Sequence, residues 1–263
     1  MDLSLLLQEM KLLSREAGQL ALKMWDDFGA VEYKGEKDVV TAADFACNEW
    51  IANRLKALIP DANIWTEESE PIDQGSDWTW LADPIDGTVN YSRKIPMWGN
   101  SIALLFKGDV VLGVSYLPVF DELYWAQKGR GAFCNDRQIW VSEVNQMQRA
   151  IISHGDFNVG EDWGGNNNKI LGLMKIESEF CQRIKSIGSA IVETCFVASG
   201  RLDIYAMAYS HPWDIAAGVL LVQEAGGRVS LWNGESVKIV DEVSVLFGNS
   251  HLFEEFSKYT LEL

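Results

Sequence analysis

The sequence predicts a mixed fold, α+β in its first half and α/β in its second, and three observations carry that expectation. Apolar residues recur at steps of three and four from Leu3 through Leu6, Leu7, Met10 and Leu13 to Phe28, the spacing of an amphipathic helix. In 100–117 the spacing changes to alternation: Ile102, Leu104 and Phe106 answer Val110, Leu112, Val114 and Tyr116 around Lys107-Gly108-Asp109, an antiparallel hairpin. After residue 145, strand-like and helix-like segments take turns in an α/β rhythm. With 263 residues, 48% of them hydrophobic and 23% charged, the chain can bury a sizeable core. One compact unit is expected, with an N-terminal lobe over 1–145 and a C-terminal α/β lobe over 146–263.

The first helix should run from about Asp2, its N-cap, to Trp25. A loop around Gly29 and Gly35 leads to Val39-Val40-Thr41 and a second helix carrying Phe45, Trp50, Ile51, Leu55 and Leu58 up to Pro60, opened by Thr41 and Asp44 at capping-box spacing. Residues 78–82 read as a short buried strand that ends in an abrupt acidic turn. After the hairpin, 123–125, a turn at Gly129 and Gly131, and 139–141 continue the meander. In the second half 150–153 and 202–205 are strand-like, and 189–198 and 213–225 helix-like. The Gly- and Asn-rich stretch 155–168 reads as a mobile loop or lobe boundary.

Lys plus Arg total 22 against 38 Asp plus Glu, a formal charge of −16. Such a field disfavours a nucleic-acid backbone or an anionic membrane as partner, and an anionic substrate would need bound cations. Apolar runs near the N-terminus break well short of the ~20 residues of a membrane span, and no signal peptide is expected. The 4 cysteines, Cys47, Cys134, Cys181 and Cys195, are widely spaced and form no CxxC pair, so buried free thiols in a reducing cytoplasm are expected, with neither disulfides nor a zinc site.

Three acidic clusters carry the chemistry: Glu67-Glu68, Asp83-Pro84-Ile85-Asp86-Gly87-Thr88 and Trp213-Asp214. Hard divalent cations such as Mg²⁺ take oxygen ligands, and carboxylates at a strand end can hold two ions close together. Asp83 and Asp86 flank a proline-stiffened turn where the Ile85 carbonyl adds a neutral oxygen. Gly87 lacks a Cβ, and the N–H groups of Gly87 and Thr88 would open a following helix, an anion site. Taken singly, Glu67-Glu68-Ser69-Glu70 is an acidic surface loop, 83–88 a good turn sequence, and Trp-Asp no signal at all.

Together, Asp38, Glu67-Glu68, 83–88, Trp213-Asp214 and Gly226-Gly227 resemble the signature of the lithium-sensitive, Mg²⁺-dependent phosphomonoesterases, most closely the inositol monophosphatases. Lys128-Gly129-Arg130-Gly131-Ala132-Phe133-Cys134-Asn135 and Ile187-Gly188-Ser189-Ala190 fit the family in order and spacing, so the resemblance covers nearly the whole chain. It implies the layered α-β-α-β-α sandwich of the sugar phosphatases. It further implies Glu67, Asp83 and the Ile85 carbonyl as ligands of a first Mg²⁺, and Asp83, Asp86 and Asp214 of a second, with a third, weaker ion near Glu67. Thr88 and Asp44 match the dyad that orients or deprotonates the attacking water, and Glu68 would support the metal site. Asp86, Gly87 and Thr88 would meet the substrate together with Gly188, Ser189 and Ala190. Asp38, with Lys34 as companion, matches a residue that closes a mobile metal loop. Relatives are commonly homodimers; the 11 tryptophans could serve such an interface, though core packing explains them more simply.

One position departs. Inositol monophosphatases usually carry a glutamate seven residues before the Trp-Asp aspartate, where it binds ring hydroxyls; here that residue is Met207. A thioether cannot replace a charged acceptor. Inositol 1-phosphate or a related polyol or sugar phosphate remains the expected substrate. Histidinol phosphate and a 3′-phosphonucleotide compete with it, as does a regulatory binding protein that keeps the fold. His211 reads equally as a catalytic or a rim histidine.

Overall fold

The structure is a computed structural model that describes residues 2–27, 31–33, 39–239, 242–261 and 263. Lys34, Asp38 and the loop around Gly29 and Gly35 lie outside the described residues.

Helix α1 (Leu3–Met24) is capped by Asp2, whose carboxylate accepts from the N–H groups of Ser4 and Leu5. Strands β1 (Val31–Tyr33) and β2 (Val39–Thr41) form a small ribbon leading into α2 (Ala42–Leu58), which opens with the expected Thr41/Asp44 capping box. Next come β3 (Asn63–Thr66), β4 (Ser69–Ile72), β5 (Trp78–Asp86), α3 (Thr88–Ser92), β6 (Gly99–Phe106), β7 (Asp109–Leu117), β8 (Glu122–Gln127), β9 (Ala132–Cys134) and β10 (Arg137–Ile139). The second half contains β11 (Ile151–His154), α4 (Trp163–Glu177), β12 (Arg183–Lys185), α5 (Ala190–Ala198), β13 (Ile204–Met207), α6 (Pro212–Glu224), β14 (Arg228–Leu231), β15 (Val245–Gly248) and α7 (Phe253–Thr260).

The first set of strands makes an 8-stranded sheet in the order β10-β9-β8-β7-β6-β5-β3-β4, the second a 5-stranded sheet in the order β12-β11-β13-β15-β14. Side chains alternate across a strand, and both faces of the large sheet are covered. Trp80, Ile102, Leu104 and Val114 pack with Leu7, Met10, Leu13, Ile51 and Leu55 of α1 and α2. Their neighbours Leu81, Ala103 and Leu105 point the other way, toward α5 and α6, which also bury Tyr205 and Phe247 of the small sheet. On the far face of that sheet Ile152, Ile204 and Leu246 pack with Ile170 and Leu173 of α4 and Phe253 and Phe256 of α7. The layers are therefore α-β-α-β-α, as the resemblance implies. Gly113 lets α6 lie directly on β7, since a Cβ there would stand 3.1 Å from the Ala217 Cα.

Several sequence expectations shift. The buried strand does not end at residue 82; β5 continues to Asp86, although its ladder to β6 is irregular between Asp83 and Asp86, where Pro84 has no N–H to give. The strand expected at 139–141 is β10, and Val141 leaves the sheet to donate its N–H to the Ala225 carbonyl at 3.1 Å. Residues 164–168 are the first turns of α4 rather than a mobile loop. Asp162 caps them through the Gly165 N–H, and buried Asn166 ties back to the Val159 carbonyl at 3.1 Å. Cys47 and Cys195 are buried, whereas Cys134 and Cys181 are half-buried; all are free thiols. Among the described residues no helix is long and apolar enough to cross a membrane.

One topological feature positions the site. Within the large sheet β3 and β5 pair in parallel, and within the small sheet β12, β11 and β13 do. The residues after all of these C-terminal ends face one another, the place where α/β sheets bind ligands.

Candidate active site

Between the two sets of strand ends lies a cleft of about 1010 Å³. Glu67, Asp83, Ile85, Asp86, Gly87, Thr88 and Asp214 line it from one side, and Gly188, Ser189, Ala190 and Met207 from the other. Asp44 stands behind Thr88. Glu68 follows Glu67 in the turn after β3, half-buried, and is not part of the cleft lining.

Asp83 is the hub. It is 1% exposed at the end of β5, and its Oδ1 accepts the Ile85 N–H at 3.0 Å, folding the turn around itself. Burial pushes its carboxyl well above the ordinary carboxylate range; the charges of Glu67, Asp86 and Asp214 and a hydrogen bond with Glu67 push it further. Asp86 is held by the second half of the chain: its Oδ2 accepts from the Ser189 hydroxyl and, at 2.7 Å, from the Ile191 N–H in the first turn of α5. Desolvation still wins, raising the Asp86 carboxyl to about 6. Asp214 lies in the first turn of α6 and accepts the His211 N–H through Oδ2 at 2.8 Å.

These donors fit a hard divalent cation. Acidic groups cluster with oxygen ligands only, and no lysine or arginine among the described residues lines the cleft to neutralise them. Asp86 and Asp214 each accept hydrogen bonds through Oδ2 within the protein. Among the described residues no three carboxylate, His or Cys side chains stand close enough together to form an ion cage by themselves.

Beside this cluster runs a chain of hydrogen bonds. The Thr88 hydroxyl stands 3.0 Å from Asp44 Oδ1 and 3.0 Å from the Ile85 carbonyl. Asp44 is fully buried, and its Oδ2 accepts from the Thr41 N–H at 2.9 Å and the Thr41 hydroxyl at 2.5 Å. The capping box of α2 thereby aims Oδ1 at Thr88. Gly87 closes the turn with φ +84°, where a Cβ would stand 3.1 Å from the carbonyl oxygens of both Gly188 and Met97. The following helix α3 has only 5 residues, so the anion site expected there rests on local N–H groups rather than on a long helix. Asn90 joins the two walls: its Nδ2 donates to Met97 O and Ile187 O, both at 2.8 Å, and stands 3.2 Å from Gly188 O.

The opposite wall holds residues that sequence reasoning missed. Asp156, Phe157, Trp163, Glu193, Tyr205 and Tyr209 line it. Glu193 is fully buried, accepting from the Ser153 hydroxyl at 2.5 Å and the Ile187 N–H at 3.1 Å, and burial lifts its carboxyl to about 8. The signal for it was a lone acid inside the apolar run Ala190–Ala198. Asp156 follows β11, a strand end in an α/β half, which is itself a clue. His211 takes the rim position: it stacks on Trp213 at 4.8 Å, meets Tyr209 edge-on at 5.2 Å, and its Nδ1 faces Glu242 Oε1 at 3.2 Å.

Comparison with known proteins agrees with this geometry. Residues 2–261 match the model of the inositol monophosphatase family. An inositol monophosphatase of Dictyostelium discoideum is 37% identical over 254 residues, covering 94% of this chain and 92% of that protein. The Nus factor SuhB of Salmonella typhimurium is 34% identical over 224 residues, 84% of this chain and 83% of that protein. The crystal structure of the extragenic suppressor protein SuhB from Bartonella henselae superposes with a TM-score of 0.87 at 30% identity, covering 95% of this chain and 96% of that one.

Proposed function

The chain belongs to the inositol monophosphatase family, Mg²⁺-dependent phosphomonoester hydrolases, and we propose that it hydrolyses a small phosphate monoester, inositol 1-phosphate or a related polyol or sugar phosphate, in the cleft between its two sheets. The observation that carries this reading is the convergence of Glu67, Asp83, Asp86 and Asp214 beside the Thr88–Asp44 pair.

Glu67, Asp83, the Ile85 carbonyl, Asp86 and Asp214 would hold Mg²⁺, which would supply charge neutralisation and Lewis acidity toward the phosphate oxygens. The chain supplies the rest. Thr88 accepts a hydrogen bond from the attacking water at Oγ1 while donating to Asp44 Oδ1, so the water proton has a two-step route into a buried carboxylate. Thr41 saturates Asp44 Oδ2 and so keeps the acceptor atom fixed. Gly87 and Gly188, both at positive φ and without a Cβ, let the phosphate approach the backbone of the two facing turns. Ser189 and the N–H of Ile191 fix Asp86, which links the phosphate turn to the metal ligands. Glu68, outside the cleft lining, would act only through its neighbour Glu67. Lithium sensitivity, two or three Mg²⁺ ions, a homodimer and cytoplasmic residence belong to the same reading, supported by the family resemblance.

A phosphate-release screen over a panel of monoesters tests it. Release that requires Mg²⁺ and stops with a chelator is the expected result. No release from any ester at millimolar Mg²⁺ would contradict it and favour a binding protein on this fold.

A further inference from the structure

The catalytic reading accounts for the carboxylates of Glu67, Asp83, Asp86 and Asp214 and leaves two acids on the opposite wall, Asp156 and Glu193, without a task. Asp156 follows β11, where Gly155 donates its N–H to the Ala206 carbonyl at 3.0 Å. At Gly155 a Cβ would lie 3.4 Å from the Met207 Cγ, so Asp156 and Met207 stand on neighbouring strand ends. From there the Asp156 carboxylate reaches toward the phosphate turn: its Oδ1 lies 3.5 Å from the point a Gly188 Cβ would occupy. Among the described residues its side chain has no hydrogen-bond donor and no ion-pair partner, and no lysine or arginine shares the lining; His211, the one imidazole there, faces Glu242. Glu193, the other acid of this wall, is fully buried, takes bonds from Ser153 and Ile187 on Oε1, and has its carboxyl raised to about 8 by burial. Beyond Asp156 the wall is apolar and aromatic, made by Met207, Phe157 and Tyr209, with Gly160 packed so tightly on the Tyr209 ring that a Cβ would stand 2.6 Å from its Cδ2.

We propose that Asp156 sets specificity, binding an ammonium group on the alcohol part of the ester, so that the preferred substrates are phosphate monoesters of amino alcohols with an apolar or aromatic body. The proposal rests on the phosphatase reading above and narrows its substrate. A polyol has little to gain on this wall, since Met207 accepts no strong hydrogen bond and one carboxylate serves few hydroxyls. An ammonium adds to its hydrogen bond a direct ion-pair attraction to the carboxylate that a hydroxyl lacks. The chain's formal charge of −16 favours it further, and the carbon body covers the thioether and the rings.

The test is a matched pair of esters, the phosphates of phenylalaninol and of N-acetylphenylalaninol, which differ in the positive charge and keep the ring. With Mg²⁺ present, wild-type protein should show a kcat/KM ratio of at least roughly tenfold in favour of the free amine. Asp156→Asn should bring that ratio near one, and Asp156→Glu should restore part of it. The wild-type ratio stands without any variant, and a thermal melt confirms that each variant is folded. A wild-type ratio near or below one, or an Asp156→Asn protein that keeps the wild-type ratio, overturns the proposal while Mg²⁺-dependent release leaves the phosphatase reading intact. No release from any ester, inositol 1-phosphate included, overturns both.

Discussion

The two walls of the cleft are built on opposite principles. On the large-sheet side, polar atoms are buried and tied: Asp44 takes bonds from Thr41 and Thr88, Asp83 from Ile85, and Asp86 from Ser189 and Ile191. On the small-sheet side Glu193 is tied beneath the surface, but Met207, Phe157 and Tyr209 meet the cleft through packing, and Asp156 is exposed and, among the described residues, untied. Fixed dipoles and charges suit a reaction whose transition state is the same for every ester. A loosely tied apolar wall suits discrimination among alcohols, where contacts differ from one substrate to the next. Substitutions on the first wall should therefore lower turnover of all esters together, and substitutions on the second should change their ranking.

The largest effect is expected at the hub. Asp83→Asn removes charge from the carboxylate that Glu67, Asp86 and Asp214 surround, and kcat/KM should fall on the order of a thousandfold for every ester. A fall confined to one substrate would erase the distinction between the walls. Thr88→Ala comes next: it cuts the proton route to Asp44 but leaves the acids in place, so steady-state assays should show roughly a hundredfold loss in kcat with little change in substrate ranking. Unaltered kcat would remove Thr88 from the mechanism. On the other wall, Met207→Glu should raise kcat/KM for inositol 1-phosphate about tenfold relative to a less hydroxylated ester. An unchanged ratio would show that Met207 does not set specificity.

The smallest effect concerns stability. Burial raises the Glu193 carboxyl to about 8 from an ordinary value near 4.5, so between those values the folded chain holds a proton that the unfolded chain has lost. Stability then declines as pH climbs through that window, by a few kcal/mol in all by order of magnitude, and the decline is complete above the folded value. Glu193→Gln removes this contribution. Thermal melts should show a smaller loss of Tm from about pH 5 to about pH 8 in the variant than in the wild type; equal losses would place the pH dependence elsewhere.

What the sequence revealed follows the same division. The first wall was legible because its residues are contiguous: 83–88 sit in one turn, and Thr41 and Asp44 in one capping box. The helices at α1, α2, α5 and α6 and the β6–β7 hairpin were legible from periodicity. Strand β4 was not, since all of Ser69–Ile72 is exposed and no alternation marks it. The Gly and Asn residues that open α4 argued for a loop until the Asp162 cap and the buried Asn166 outweighed propensity. The second wall was hidden because Asp156, Met207 and Tyr209 become neighbours only when β11 and β13 pair in parallel. Met207 was legible by comparison with a family pattern; Asp156 had no such marker.

Titration of phosphate release against Mg²⁺, starting from protein stripped with a chelator and using both inositol 1-phosphate and phenylalaninol phosphate, tests the central claim most directly. The account predicts no release from either ester without the ion, and a saturable rise for both over the same range of Mg²⁺, because one set of carboxylates serves every substrate. Release that persists after stripping, or that fails to appear at any Mg²⁺ concentration, would contradict it.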